Sequence, residues 1–325
     1  MSDRSKASGP GPIAREGRVR LQLDPTASLQ RLAFFGLDTD IQVTVRTRPA
    51  VARLAAAELI EQTCRYERLF SRFLPHSDIS RLNGAQGKPV EVALETYELI
   101  GQALAYCAAS EGTFDITVGP AARLWDFKAG RIPKVAALAE ACRHVDWRAV
   151  EPVGRSGETG QVRLADPQAL LDLGGIAKGY IANRLSETLA ELGVASHLIN
   201  LGGNTLAAGT RDGGRPWRVE APSPNDPSGG IVIDARDCSV VTSGTYERSF
   251  MRDGILYHHV LDPRTGMPVA TDLIGATVVA RRSIDAEGFS TTLLALGSER
   301  AARFARERSE VLHALLLTAD GWMRV

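Results

Sequence analysis

From Asp38 to Val45 apolar and polar residues alternate with period two, with Ile41, Val43 and Val45 on one face, which predicts a half-buried strand. The period then lengthens. Between Ala50 and Phe70, Leu54, Leu59, Thr63 and Tyr66 recur at helical spacing, and Pro75 closes this predicted helix before a loop over 78–87. A second helix is expected over 93–110, with Leu94, Tyr97, Gly101, Leu104 and Cys107 on one face, ending at Glu111-Gly112. Residues 113–120 read as a short strand entering a turn, and 133–144 as a third helix with Pro133 near its start.

The second half of the chain is richer in strands. Leu170 to Leu173 reads as an apolar strand end that passes through Gly174-Gly175 into a helix faced by Ile181, Leu185, Leu189 and Leu192. Residues 196–201 form a buried strand closed by Gly202-Gly203-Asn204, and strand patterns return at 217–220, 231–233, 240–241, 273–280 and 312–318. Helices are expected over 285–296 and 299–307. This order implies an α+β (mixed α/β) fold, with a flexible arm over 1–30 and one domain over 31–325, since no linker interrupts the rest. Leu-Gly-Gly occurs at 173–175 and at 201–203, which hints at a repeat but is too short to establish one.

Composition narrows the class. The 325 residues are 44% hydrophobic and 23% charged, with 38 basic and 38 acidic side chains. A net charge of zero excludes a global field that favours nucleic acid or an anionic membrane, so any anion must be bound locally. Cys64, Cys107, Cys142 and Cys238 are too widely spaced for a zinc or redox pair and are expected to be reduced. The N-terminal residues hold no apolar run of signal-peptide or membrane-span type. The chain as written is therefore expected in the cytoplasm, or in the periplasm if a leader was removed.

Three places carry candidate chemistry. The run from Tyr257 to Pro268 ends in Asp262-Pro263-Arg264-Thr265-Gly266, a reverse turn that presents His259, Asp262 and Arg264 or is simply a surface hairpin. Gly174-Gly175 before a helix, with Lys178 in its first turn, has the form of a pyrophosphate cradle, though glycines there also serve close packing. The spacing is neither a Walker A loop nor a dinucleotide fingerprint. Glu287 and Thr291 stand i,i+4 on a helix and suit a hard, oxygen-loving cation, Mg²⁺ best. The competing reading is capping, with Ser283 or Asp285 as N-cap.

Seven ordered blocks bear on these alternatives: Glu67 to Phe73, Ser80 to Asn83, Phe114 to Pro120, Asp172 to Tyr180, Asn200 to Gly203, Thr242 to Gly244, and His259 to Gly266. Together they resemble the motifs of the ApbE-type FAD:protein FMN transferases, from about Phe34 to Thr318. The resemblance implies a fold of ApbE/T-fold type, with helices packed on mainly antiparallel sheets. It also implies a Mg²⁺-dependent transferase that moves FMN from FAD to a Thr or Ser hydroxyl of an acceptor flavoprotein and releases AMP. Any membrane link would run through that acceptor. By the same resemblance Leu37, Phe73, Thr113, Phe114, Asp115, Asp172, Lys178 and Val260 would contact FAD. The metal would be held by Glu287, Thr291 and the Gly175 carbonyl, with Ser290 nearby. His259 would be the base, and Asp262 of the same turn a second catalytic candidate. Three positions depart from the family pattern: Asp38 for Gly, Asn204 for an acidic residue, and Glu287 for Asp. An FAD pyrophosphatase and a flavin binder without turnover are the competing functions.

Overall fold

The strand expected at 38–45 lies at Thr39–Arg46 in the computed structural model, which describes residues 19–224 and 229–325. It is the third strand of a nine-stranded sheet. In spatial order the strands are Arg20–Gln22, Leu29–Gly36, Thr39–Arg46, His197–Leu201, Asn204–Ala208, Cys238–Gly244, Leu273–Ala280, Val311–Thr318 and Gly321–Arg324. Every pairing is antiparallel, as the resemblance implied. Arg20–Gln22 falls within the segment expected to be an arm and pairs with Leu29–Gly36; residues 1–18 lie outside the described part.

Helices cover the sheet. Pro49–Phe70 lies against Leu29–Gly36 and against the helix Ala177–Glu191, which in turn packs on Ser283–Leu296. The buried face of Pro49–Phe70 is built from Ala52, Ala55, Ala56, Leu59, Thr63, Tyr66 and Phe70, whereas Leu54 is 52% exposed. Small alanines let the helix approach the sheet closely, and the large-residue stripe read from the sequence was set slightly off that face. The helix Leu94–Ala109 shows the same rotation. It buries Thr96, Leu99, Ile100, Ala103, Tyr106 and Cys107, and Gly101 faces solvent.

Other expectations fail for local reasons. Residues 78–84 are a helix rather than a loop, because the Ser77 hydroxyl accepts the Ser80 N–H and caps it. Residues 113–118 are turns, with only a single parallel bridge from Val118 to Leu170, because Asp115 takes both the N–H and the hydroxyl of Thr117. Residues 170–173 likewise form no strand. The two Leu-Gly-Gly turns are unrelated in structure: the first enters a helix, and the second joins adjacent antiparallel strands. All four cysteines are unpaired. No helix among the described residues is long and apolar enough to cross a membrane.

Candidate active site

Two close approaches bring the site together. A Cβ at Gly179 would lie 2.7 Å from Ile284 Cα and 2.8 Å from Glu287 Cβ, so only glycine lets the helices Ala177–Glu191 and Ser283–Leu296 meet at this depth. Lys178 is thereby carried to Glu287, with Nζ 3.7 Å from Oε1 and 3.4 Å from the Gly202 carbonyl. The second approach is the tip of the hairpin between Leu29–Gly36 and Thr39–Arg46. Leu37 and Asp38 both have positive φ, 54° and 59°, as a two-residue turn requires, and Asp is among the few side chains that tolerate it. The Asp38 carboxylate lies 3.5 Å from Arg248, whose carbonyl accepts the His259 N–H at 3.1 Å.

Glu287 is 6% exposed, and its Oε2 accepts a hydrogen bond from the Asn204 amide. Ser290 donates to the Glu287 carbonyl at 3.0 Å, and its hydroxyl lies 2.9 Å from that of Ser243. The Thr291 hydroxyl is 3.2 Å from the same Ser243 oxygen, so Ser243, on a neighbouring strand, ties both helix hydroxyls together. Neither capping candidate caps. Ser283 donates to Asn204 Oδ1 at 2.7 Å, Asp285 accepts from the Tyr106 hydroxyl, and the N-cap position belongs to Arg282. Gly175 stands one residue before Ile176, the N-cap of the helix Ala177–Glu191, and a Cβ there would lie 3.0 Å from the Phe114 ring.

The expected cradle of free N–H groups at Gly174-Gly175 is largely used up. Gly174 donates to Asp172 Oδ1 at 2.9 Å, and Ile176 and Ala177 donate to the Leu173 carbonyl. What faces outward is a chain of side chains. Asp172 pairs with Arg72 at 3.2 Å, and the Arg72 guanidinium lies over the ring of Phe73, which is 63% exposed. An exposed aromatic held flat by a cation is a ready stacking surface. Thr113 and Phe114 lie in the turn after Leu94–Ala109, where the Thr113 N–H donates to the Ser110 carbonyl and the Phe114 ring packs against Gly175. Asp115 points inward: its second oxygen accepts the Trp147 N–H at 3.1 Å, and burial raises its pKa despite these bonds. Val260 is buried beside His259, and its carbonyl accepts from Val269.

His259 follows the strand Ile255–His258. Its ring Nδ1 is buried without a partner, and burial, with the positive charges of Arg248, His258 and Lys178 adding to it, pushes its pKa down to about 4. The imidazole is therefore neutral near pH 7 and open to a proton. The turn that follows is self-contained. Both Asp262 oxygens accept from Arg264, at 2.9 and 3.0 Å on Oδ1 and 2.9 Å on Oδ2. Burial works against ionisation of Asp262, but these bonds prevail and lower its pKa. Gly266, at φ 68°, turns its carbonyl to the Trp125 indole N–H at 2.8 Å. Asp262 thus holds the turn through Arg264.

The structure brings Lys178 to Glu287, links Ser290 and Thr291 through Ser243, and sets His259 within the field of Lys178 and Arg248. It lines up Asp172, Arg72 and the exposed Phe73, hydrogen-bonds the Leu37 N–H to Glu67, and engages Asp115 and Asp262 in hydrogen bonds with Thr117, Trp147 and Arg264. Sequence reasoning missed Ser243, Arg72 and Arg248 as participants. Ser243 lay inside the Thr-Ser-Gly block, and strand alternation alone could not tell which helix it faces.

Comparison with known proteins places the chain among relatives. An FAD:protein FMN transferase of Treponema pallidum is 37% identical over 282 residues, covering 80% of this chain and 76% of the relative. One from Klebsiella pneumoniae is 34% identical over 269 residues, covering 79% and 80%. Among solved structures, the ApbE protein from Thermotoga maritima aligns with a TM-score of 0.81 at 28% identity, covering 90% of this chain and 96% of that one. The apo flavinyl transferase ApbE from Pseudomonas stutzeri gives 0.79 at 25%, covering 96% of each. The ApbE family profile matches residues 37–316, and this chain belongs to the ApbE family.

Proposed function

We propose that this chain transfers the FMN half of FAD to a Thr or Ser hydroxyl of an acceptor protein, with AMP as the leaving group. The observation that carries the reading is the position of Lys178. One ammonium touches the Glu287 carboxylate and the second Gly-Gly turn, and its charge also bears on the buried imidazole of His259. A pyrophosphate needs such a cation, and a hydroxyl nucleophile needs such a neutral base.

In this reading FAD is bound with Phe73 and Leu37 as apolar contacts and Lys178 at the pyrophosphate. The acceptor hydroxyl attacks the phosphorus nearer riboflavin, a new P–O ester bond forms, and the bridging P–O bond to AMP breaks. His259 takes the hydroxyl proton. Its low basicity reflects burial and the cations around it, and the approach of the phosphate anion offsets those cations and raises it.

The residues present also fit Mg²⁺. The donors on the helix Ser283–Leu296 are all oxygens: the Glu287 carboxylate and the hydroxyls of Ser290 and Thr291, with the Ser243 hydroxyl alongside, and the Gly175 carbonyl would add the further oxygen that the family resemblance implies. Among the described residues no cluster of three or more His, Cys, Asp or Glu side chains could hold a metal ion, so a His/Cys site for a softer cation has no counterpart there. Bound there, Mg²⁺ would neutralise charge on the pyrophosphate as the bridge breaks. Glu287 would hold it directly, and Ser243 would orient the two hydroxyls.

The test is incubation with FAD, Mg²⁺ and a candidate acceptor, followed by in-gel fluorescence. Covalent flavin on the acceptor is expected. Free FMN and AMP with unlabelled protein would show hydrolysis instead, and unchanged FAD retained by the chain would reduce it to a flavin binder.

A further inference from the structure

Asn204 and Glu287 come from distant parts of the chain and meet inside the protein. Asn204 is wholly buried in the strand Asn204–Ala208, next to the Gly202-Gly203 turn. The orientation of its amide is fixed by what surrounds it. A carboxylate only accepts, so the Nδ2 side faces Glu287 Oε2, and the Oδ1 side takes the Ser283 hydroxyl at 2.7 Å. Ser283 itself is wholly buried at the first turn of the helix that carries Glu287. The three side chains form a closed bracket from helix to strand and back to the same helix.

The bracket makes the two carboxylate oxygens unlike. Oε2 is occupied by Asn204, whereas Oε1 is turned toward Lys178 and the open side of the site. A glutamate has one more rotatable bond than an aspartate, and holding its end still costs side-chain entropy unless a partner fixes it. A carboxylate at position 204 would instead set like charge against Glu287 in a buried place. An amide there supplies a donor and no charge.

We propose that Asn204 is a positioning residue, which clamps Glu287 Oε2 through an amide set by Ser283 so that Oε1 is presented to the cation. The inference rests on the placement of the cation at Glu287 proposed above. The clamp is matched to the length of glutamate, so it should matter little for a shorter carboxylate.

Mn²⁺ binding to the full chain, read from the electron paramagnetic resonance signal of free Mn²⁺, tests this without any turnover. FAD affinity in the absence of metal, by flavin fluorescence quenching, and circular dichroism serve as controls. Wild type should bind Mn²⁺, and Glu287→Gln should lose most of that affinity. Asn204→Ala should weaken binding about 10- to 100-fold with FAD affinity retained, and Ser283→Ala should act in the same direction by less. In a Glu287→Asp background, Asn204→Ala should change Mn²⁺ affinity by no more than about twofold. If Asn204→Ala does not fold, Ser283→Ala and its Glu287→Asp combination carry the same comparison. Wild-type affinity in folded Asn204→Ala or Ser283→Ala would overturn the clamp, as would an equal loss in both backgrounds, which marks a general structural role. Wild type that binds no Mn²⁺ would overturn the cation placement itself, and the clamp with it.

Discussion

The turn at Asp262–Gly266 and the helix head at Ser283–Thr291 are both dense in polar residues, yet their hydrogen bonds run in opposite directions. In the turn the carboxylate is satisfied locally, by Arg264 two residues on, while the Gly266 carbonyl anchors the turn to the distant Trp125 indole. At the helix head they cross the fold, from Glu287 to Asn204, from Ser290 and Thr291 to Ser243, and from Asp285 to Tyr106. A self-satisfied cluster has nothing left to offer a substrate and acts as scaffold. A cluster whose partners come from three other segments exists only when the chain is folded, and that is where binding chemistry can be set by the fold.

The sharpest way to break this contrast is to neutralise one carboxylate in each region. Glu287→Gln should lower FMN transfer on the order of 10²-fold or more while metal-free FAD binding persists; retained transfer would remove the helix head from the site. The next largest effect is on acid stability. The pKa of His259 lies below its unfolded value of 6.5, so the unfolded chain takes up a proton first. Stability should be full above pH 6.5 and fall as pH drops toward about 4, by up to about 3 kcal/mol from this group. His258 and His197 are lowered in the same direction, so the difference between wild type and His259→Gln in melting temperature against pH isolates the term. Gly179→Ala should cost about 1–3 kcal/mol by forcing two helices apart, and should lower transfer as Lys178 is drawn from Glu287. Asp262→Ala should cost about 1–2 kcal/mol in denaturant melts with transfer per folded molecule unchanged. A loss of transfer there would return the turn to the catalytic machinery.

The regular part of the fold was legible because periodicity reports burial. Thr39–Arg46, His197–Leu201 and Leu273–Ala280 lie where alternation or apolar runs put them. The misreadings at 78–84 and 113–120 have one cause: a single side chain, Ser77 or Asp115, captures local backbone and overrides the pattern. In the candidate site, His259, Lys178 and Glu287 were singled out because their residue types and local context already carry chemistry. Asp262 was singled out from its turn, whose sequence shows that it is rigid but not that Arg264 takes up its carboxylate. Ser243, Arg72 and the pairing of Asn204 with Glu287 depend on contacts between distant segments, which no local pattern encodes. Two departures from the family pattern, read separately along the chain, turn out to touch each other.

The account stands most directly on His259. FMN transfer to the acceptor and FAD affinity should be measured side by side for wild type and His259→Ala. Abolished covalent flavin on the acceptor, with FAD bound as in wild type, is the result expected of a base that serves the acceptor hydroxyl. Full transfer by His259→Ala would contradict it.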